Sequence, residues 1–203
     1  LTNASIPANN LRAWINDIAD ESFNRITVDS DTSTNDTLLL MASGKGPKIS
    51  KADEKTFRSI LKDVAVDLAQ QIIKDGEGCT KFITFTVDHA TTIAEAKAIF
   101  FAVCNSPLVK TAWFGENPNF GRILCSAGKI PSSLIPDKVD LWMGSHLLVK
   151  QGTVVVVDKA ILDTYMKNKN LEFRLDLNQG SSTFTGWTMD LSNEYVKINA
   201  EYN

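Results

Sequence analysis

Lys74-Asp75-Gly76-Glu77-Gly78-Cys79-Thr80-Lys81-Phe82-Ile83-Thr84-Phe85-Thr86-Val87-Asp88 turns a helix into a strand within a few residues. Upstream of it, Phe57, Ile60, Leu61, Val64, Leu68, Ile72 and Ile73 recur at the spacing of one apolar helix face. Ser50 followed by Asp53 gives that helix an acidic variant of the capping box. Gly76 and Gly78 stop it, because glycine accepts the backbone conformation that closes a helix. Ile83, Phe85 and Val87 then alternate with Thr84, Thr86 and Asp88, the two-residue repeat of a half-buried strand. Residues 92–104, rich in alanine and ended by Asn105-Ser106-Pro107, read as another helix. This succession predicts a mixed α/β chain.

Working outward, Leu11, Trp14, Ile15 and Ile18 predict an amphipathic helix over 11–22. Strands are expected over 25–28 and 37–42, followed by a glycine- and proline-broken loop at 43–48. On the other side, 108–114 reads as a strand, 115–119 as a loop, 153–157 as a fully buried strand and 159–166 as a short helix. Residues 171–177 and 182–189 alternate and are expected to form a hairpin through Asn178-Gln179-Gly180-Ser181. The tail at 194–202 alternates again. A domain boundary is expected near 78–81, giving parts 1–78 and 79–203 with helix and strand in both.

A chain of 203 residues can build a proper core, and 43% hydrophobic with 22% charged residues is ordinary for a globular protein. The net charge of -3 gives no reason to expect nucleic acid or an anionic membrane as partner. No apolar run has the length of a membrane span, and no signal peptide is visible. Cys79, Cys104 and Cys125 are odd in number and lack metal-ligand spacing, so free thiols in a reducing cytoplasm are expected. His89 and His146 sit near no recognisable nucleophile motif and read as surface or structural.

Three tracts could carry chemistry. Between the two expected N-terminal strands, residues 29–36 are all carboxylate, hydroxyl or amide. Such a block is either a tight polar turn or the floor of a site. Asp29, Asp31 and Asp36 lack the central glycine and downstream glutamate of a calcium loop, so no metal is expected there. In the second tract, C-capping explains Gly76 and Gly78 but not the acid between them. Glu77 is placed to present a carboxylate to a cationic group. The third tract joins Lys110-Thr111-Ala112-Trp113-Phe114-Gly115 to Asn117, Asn119 and Gly121-Arg122. It is an anion contact or an ordinary loop whose Arg122 pairs with an acid.

In this order, the three tracts resemble the ornithine acetyltransferase (glutamate N-acetyltransferase) family of arginine biosynthesis. The resemblance is carried by residues 22–29 and 31–36, 74–78, Lys110-Thr111-Ala112 with Asn119 and Gly121-Arg122, and the ending at 195–202. It implies a precursor that cuts itself before a threonine into alpha and beta chains, this chain resembling the beta chain. The N-terminal part would complete an αββα sandwich of the N-terminal-nucleophile type shared with the alpha chain. A smaller α/β domain would follow, its tail returning to the active site. The new terminal threonine is the nucleophile, expected about six residues before Leu1. Thr2 is not that residue, no catalytic residue is expected in this chain, and one hydroxyl residue is expected beyond Asn203.

The resemblance further implies acetyl transfer from N2-acetyl-L-ornithine to L-glutamate through an acetyl-threonine. The oxyanion donors are a Thr-Gly pair of the alpha chain. Glu77 and Asn199 carry over as substrate-binding residues, Glu77 toward the ornithine ammonium and Asn199 toward the amino-acid end. No cofactor and no metal are implied; acetyl-CoA enters as a co-substrate in bifunctional members. Partners are the alpha chain, a second alpha-beta pair and the small-molecule substrates, with neither nucleic acid nor membrane. The polar block then reads as a network supporting the site. An amidohydrolase or aminopeptidase of the same self-cleaving architecture, and a non-catalytic binding module, are the alternatives.

Overall fold

The computed structural model describes residues 1–131 and 134–201. Two compact units emerge, Leu1–Ile26 with Asp31–Ile72, and Thr27–Ser30 with Ile73–Asn203.

In the first unit, α1 (Ala8–Glu21) buries Trp14 and Ile18. Helix α2 (Glu54–Lys74) starts where expected: Ser50 Oγ donates to Asp53 Oδ2 (2.6 Å) and accepts from the Asp53 amide (3.2 Å). Trp14, Ile18 and Ala65 form the buried cluster, with Ile6, Phe23, Phe57 and Leu61 against it. The single apolar face predicted for α2 is split. Phe57, Leu61 and Ala65 face this cluster, while Ile60, Val64, Leu68 and Ile72 form a second row that is 46–56% exposed. The strand expected over 37–42 does not form. Residues around Thr2 and Ser5 run beside Ala42 and Lys48 through two isolated parallel bridges, leaving Leu39 and Met41 exposed. Extended apolar sequence becomes a strand only when a neighbour completes its hydrogen-bond ladder.

The second unit is built on a seven-stranded mixed sheet of order β1-β7-β2-β6-β3-β4-β5. Its strands are β1 (Ile26–Thr27), β2 (Phe82–Ala90), β3 (Asp140–Met143), β4 (His146–Lys150), β5 (Thr153–Val154), β6 (Asn170–Asp176) and β7 (Ser182–Met189). Ile83, Phe85, Val87, Leu171 and Leu175 are fully buried on one face. Helices α3 (Ile93–Cys104), α4 (Pro107–Phe114), α5 (Phe120–Ala127) and α6 (Lys159–Met166) supply Phe100, Trp113, Ile123 and Met166 to the same core. Each such large side chain contributes roughly 1.5–3 kcal/mol by leaving water. The chain ends in α7 (Asn193–Glu201). No helix among the described residues is long and apolar enough to cross a membrane.

Four expectations are corrected. Residues 108–114 are helix α4, not a strand: Pro107 occupies the first turn, and Val109 and Trp113, four apart, are buried together. The 153–157 run is a two-residue edge strand, with Val154 and Val156 59% and 97% exposed. Strands β6 and β7 form no hairpin, because β2 lies between them, parallel to β6 and antiparallel to β7. The connection crosses the end of β2, where Leu177 and Gln179 amides donate to Asp88 and His89 carbonyls (3.0 and 2.9 Å). The tail is helical over the described residues; 202–203 lie outside them.

Candidate substrate-binding site

Glu77 and Asn199 meet in the second unit. Asn199 Nδ2 donates to Glu77 Oε2 (2.5 Å) and to the Tyr195 carbonyl one helical turn back (3.0 Å). Both partners are acceptors, so the amide nitrogen must face them, which fixes the amide's orientation. Glu77 Oε1 and Asn199 Oδ1 then remain as acceptors without a partner among the described residues. Both residues are exposed. Two free acceptor oxygens, one of them belonging to a carboxylate, suit an ammonium group.

The local backbone dictates this meeting. Gly78 has φ +66°, and a Cβ there would lie 2.5 Å from both Ser192 Oγ and the Tyr195 nitrogen. Only glycine permits that approach of the Glu77 turn to the start of α7. Ser192 Oγ donates to the Gly78 carbonyl (2.7 Å) and accepts from the Tyr195 amide (3.2 Å), capping α7 while binding the turn. The buried Asp190 carboxylate accepts from the Thr80 amide (2.9 Å), the Lys81 amide (3.0 Å) and the Thr80 hydroxyl.

Lys110, from the third tract, is 2% exposed and points inward. Its Nζ donates to Thr188 Oγ1 (3.1 Å) and to the Met189 carbonyl, and Thr188 Oγ1 donates to the Thr27 carbonyl (2.8 Å). Burial pushes the Lys110 amine down to about 8, partly offset by Cys104, Asp190 and Asp29. Arg122 forms no ion pair with an acid among the described residues but stitches α5 to α4, its Nη1 donating to the Leu108 carbonyl (2.6 Å) and to Thr111 Oγ1 (3.5 Å). Trp113 is buried, and Phe120 packs against the core.

The polar block is surface, not a buried floor: residues 29–36 are all exposed. Ser33 Oγ accepts from the Asn35 and Asp36 amides (3.3 and 3.1 Å), a local hydroxyl turn. No hairpin is closed by it, since β7 is the neighbour of β1 and the bridge of Ala42 goes to Thr2. Asp29, at its start, does reach toward the site: it accepts from the Tyr195 hydroxyl on α7 (2.8 Å).

His89 Nδ1 lies 2.9 Å from the Asp176 carboxylate, and the His146 ring stands edge-on to Tyr165. Among the described residues no group of three or more His, Cys, Asp or Glu side chains is placed to hold a metal ion. Asp190, Ser192 and Tyr195 were not legible as site residues, because more than 110 residues separate Ser192 from the turn it binds. The one available signal was Ser192 ahead of Asn193-Glu194, a helix N-cap pattern hidden by the apparent alternation of the tail.

The model of the ArgJ family matches residues 1–203. The chain is 40% identical to the arginine biosynthesis bifunctional protein ArgJ of Symbiobacterium thermophilum over 205 residues, covering 99% of this chain and 51% of that protein. It is equally similar, at 40% over 207 residues, to the protein of the same name from Caulobacter vibrioides, again covering 99% and 51%. The crystal structure of the Bacillus halodurans arginine biosynthesis bifunctional protein superposes with a TM-score of 0.93 at 35% identity, covering 99% of this chain and 97% of that one. The chain thus spans about half the length of its curated relatives, and its mixed α/β fold is theirs. On sequence and on fold alike, this chain belongs to the ArgJ family.

Proposed function

We propose that this chain is the beta chain of a self-cleaving acetyltransferase of arginine biosynthesis, moving acetyl from N2-acetyl-L-ornithine to L-glutamate. The observation that carries the reading is the Glu77–Asn199 pair, whose acceptor oxygens suit the ammonium group of ornithine. The names of the family relatives support the pathway.

In the proposed reaction the nucleophile is the N-terminal threonine of the processed chain, its hydroxyl deprotonated by its own α-amine. The hydroxyl oxygen attacks the acetyl carbonyl, the amide C–N bond breaks, and the leaving amine takes the proton to release ornithine. Glutamate's amine then attacks the acetyl-threonine ester, yielding N-acetylglutamate and the free hydroxyl. Glu77 and Asn199 act in binding and orientation, so their contribution falls on substrate affinity before chemistry.

Two observations support an alpha chain as partner. The first unit has a small buried cluster and leaves Ile60, Val64, Leu68 and Ile72 half exposed at a four-residue spacing. A domain with so little core gains stability from a covering partner. The curated relatives are twice as long, yet the solved Bacillus halodurans chain is 97% covered by this one, as a processed half-length chain would be. The αββα sandwich shared by the two chains, the pairing of two such alpha-beta units and a cytoplasmic location complete the proposal. The free thiols Cys79, Cys104 and Cys125 support the location.

The test is transfer by the full-length protein from N-acetylornithine to labelled glutamate. Labelled N-acetylglutamate and ornithine in equal amounts are expected. Free acetate without acetylglutamate would instead identify a hydrolase of the same architecture. Substituting acetyl-CoA for N-acetylornithine in the same assay decides whether it is a second donor.

A further inference from the structure

We propose that Asp190 is a positioning residue that holds the Glu77 turn and the Asn199 helix in register. The role rests on the substrate-binding reading given above for Glu77 and Asn199. Asp190 lies between the end of β7 and the start of α7, is fully buried, and spends both carboxylate oxygens on the chain just after Glu77. Oδ1 takes the backbone amides of Thr80 and Lys81, and Oδ2 takes the Thr80 hydroxyl. The Asp190 amide in turn donates to the Lys81 carbonyl (3.3 Å). Four bonds therefore join two segments 109 or 110 residues apart in sequence.

Each segment continues directly into one half of the site. Thr80 follows Glu77 by three residues, and Asp190 precedes α7, which carries Asn199. Ser192 adds a second tie to Gly78. Glu77 and Asn199 themselves are exposed, so the hydrogen bond between them is weak in isolation. Its geometry must come from buried ties beneath it, and Asp190 makes the most of these. The carboxylate is not left as a lone charge, since three donors and the nearby Lys110 ammonium face it. Asparagine at this position keeps an acceptor for both amides and can reverse the Thr80 bond by donating to its hydroxyl; alanine keeps none.

The test uses the full-length protein with Asp190→Ala, Asp190→Asn and Thr80→Val. Two readouts are combined: KM and kcat for acetyl transfer from N-acetylornithine, and hydrogen exchange of α7 amides against those of β2. Asp190→Ala is expected to raise KM about tenfold with kcat changed far less, and to speed α7 exchange while β2 stays protected. Asp190→Asn should recover most of both effects, and Thr80→Val should show a smaller version of the alanine result. Should Asp190→Ala fail to fold, Asp190→Asn and Thr80→Val carry the same comparison. Unchanged α7 exchange and unchanged KM in the folded variants would overturn the positioning role. If the wild-type protein transfers no acetyl while α7 exchange rises in the variants, the enzymatic reading falls and the structural tie stands.

Discussion

Asn199 and Glu77, 122 residues apart in sequence, share a hydrogen bond of 2.5 Å at the surface of the second unit. A bond between exposed side chains contributes little to stability by itself. Its value lies in what it leaves open: one carboxylate oxygen of Glu77 and the amide oxygen of Asn199, both acceptors. The fold spends buried groups to hold that arrangement, namely Asp190, Ser192 and the close approach allowed by Gly78.

Gly78→Ala tests the close approach. Its φ of +66° strains any side chain, and a Cβ would stand 2.5 Å from the Tyr195 nitrogen. The variant should lose about 2 kcal/mol, lowering Tm by about 4–8 °C in a chain of this size. It should also raise KM for N-acetylornithine. Thermal unfolding at wild-type Tm would show that the turn can move away from α7 at no cost.

Lys110 gives a pH dependence of defined sign. Its folded pKa, about 8, lies below its ordinary value of 10.5 because of burial. Below pH 8 the ammonium is held in both states and its burial is a full cost. Between pH 8 and 10.5 the folded protein releases the proton before the unfolded chain does, so this group makes stability rise with pH. The gain is on the order of 3 kcal/mol across that window. Lys110→Met should abolish it: wild-type minus variant unfolding free energy should climb from pH 8 to 10.5 and stay flat from 6 to 7.5. A difference independent of pH would contradict the burial of that charge.

The cysteines should differ in reactivity. Burial, aided by the Asp190 charge, pushes the Cys79 thiol up to about 11, and full burial pushes Cys104 higher still. Cys125 is exposed. Only thiolate reacts, so at pH 8 about one Cys79 in a thousand is competent. Iodoacetamide labelling followed by peptide mapping should therefore mark Cys125 first, Cys79 slowly and Cys104 only after unfolding. Early labelling of Cys79 would place its turn in solvent.

The sequence discloses the fold where one periodicity dominates. The helix at 54–74, the strand at 82–90 and the helix at 93–104 follow from spacing, because their apolar residues meet one continuous core or cap signal. It misleads where local pattern and tertiary context disagree. Val109, Trp113 and Phe114 are good strand formers, yet Pro107 and the core beside Phe173 make a helix of them. Strand β2 inserts between β6 and β7, an order no turn sequence encodes. Residues 37–42 are written as a strand but stand with one bridge at Ala42. At the site, Glu77 was marked by an acid between two glycines, whereas Asn199 came only through family resemblance. Asp190 gave no signal and Ser192 only a hidden N-cap pattern, since their partners lie more than 100 residues away.

The most direct measurement of the central claim is a double-mutant cycle on Glu77 and Asn199 in the full-length protein, read as KM for N-acetylornithine. Glu77→Gln and Asn199→Ala should each raise KM by roughly tenfold or more. The double variant should be no worse than the more damaging single change by more than about threefold, because the two side chains are joined by a hydrogen bond and are expected to act as a unit. Wild-type KM in both single variants would contradict the account.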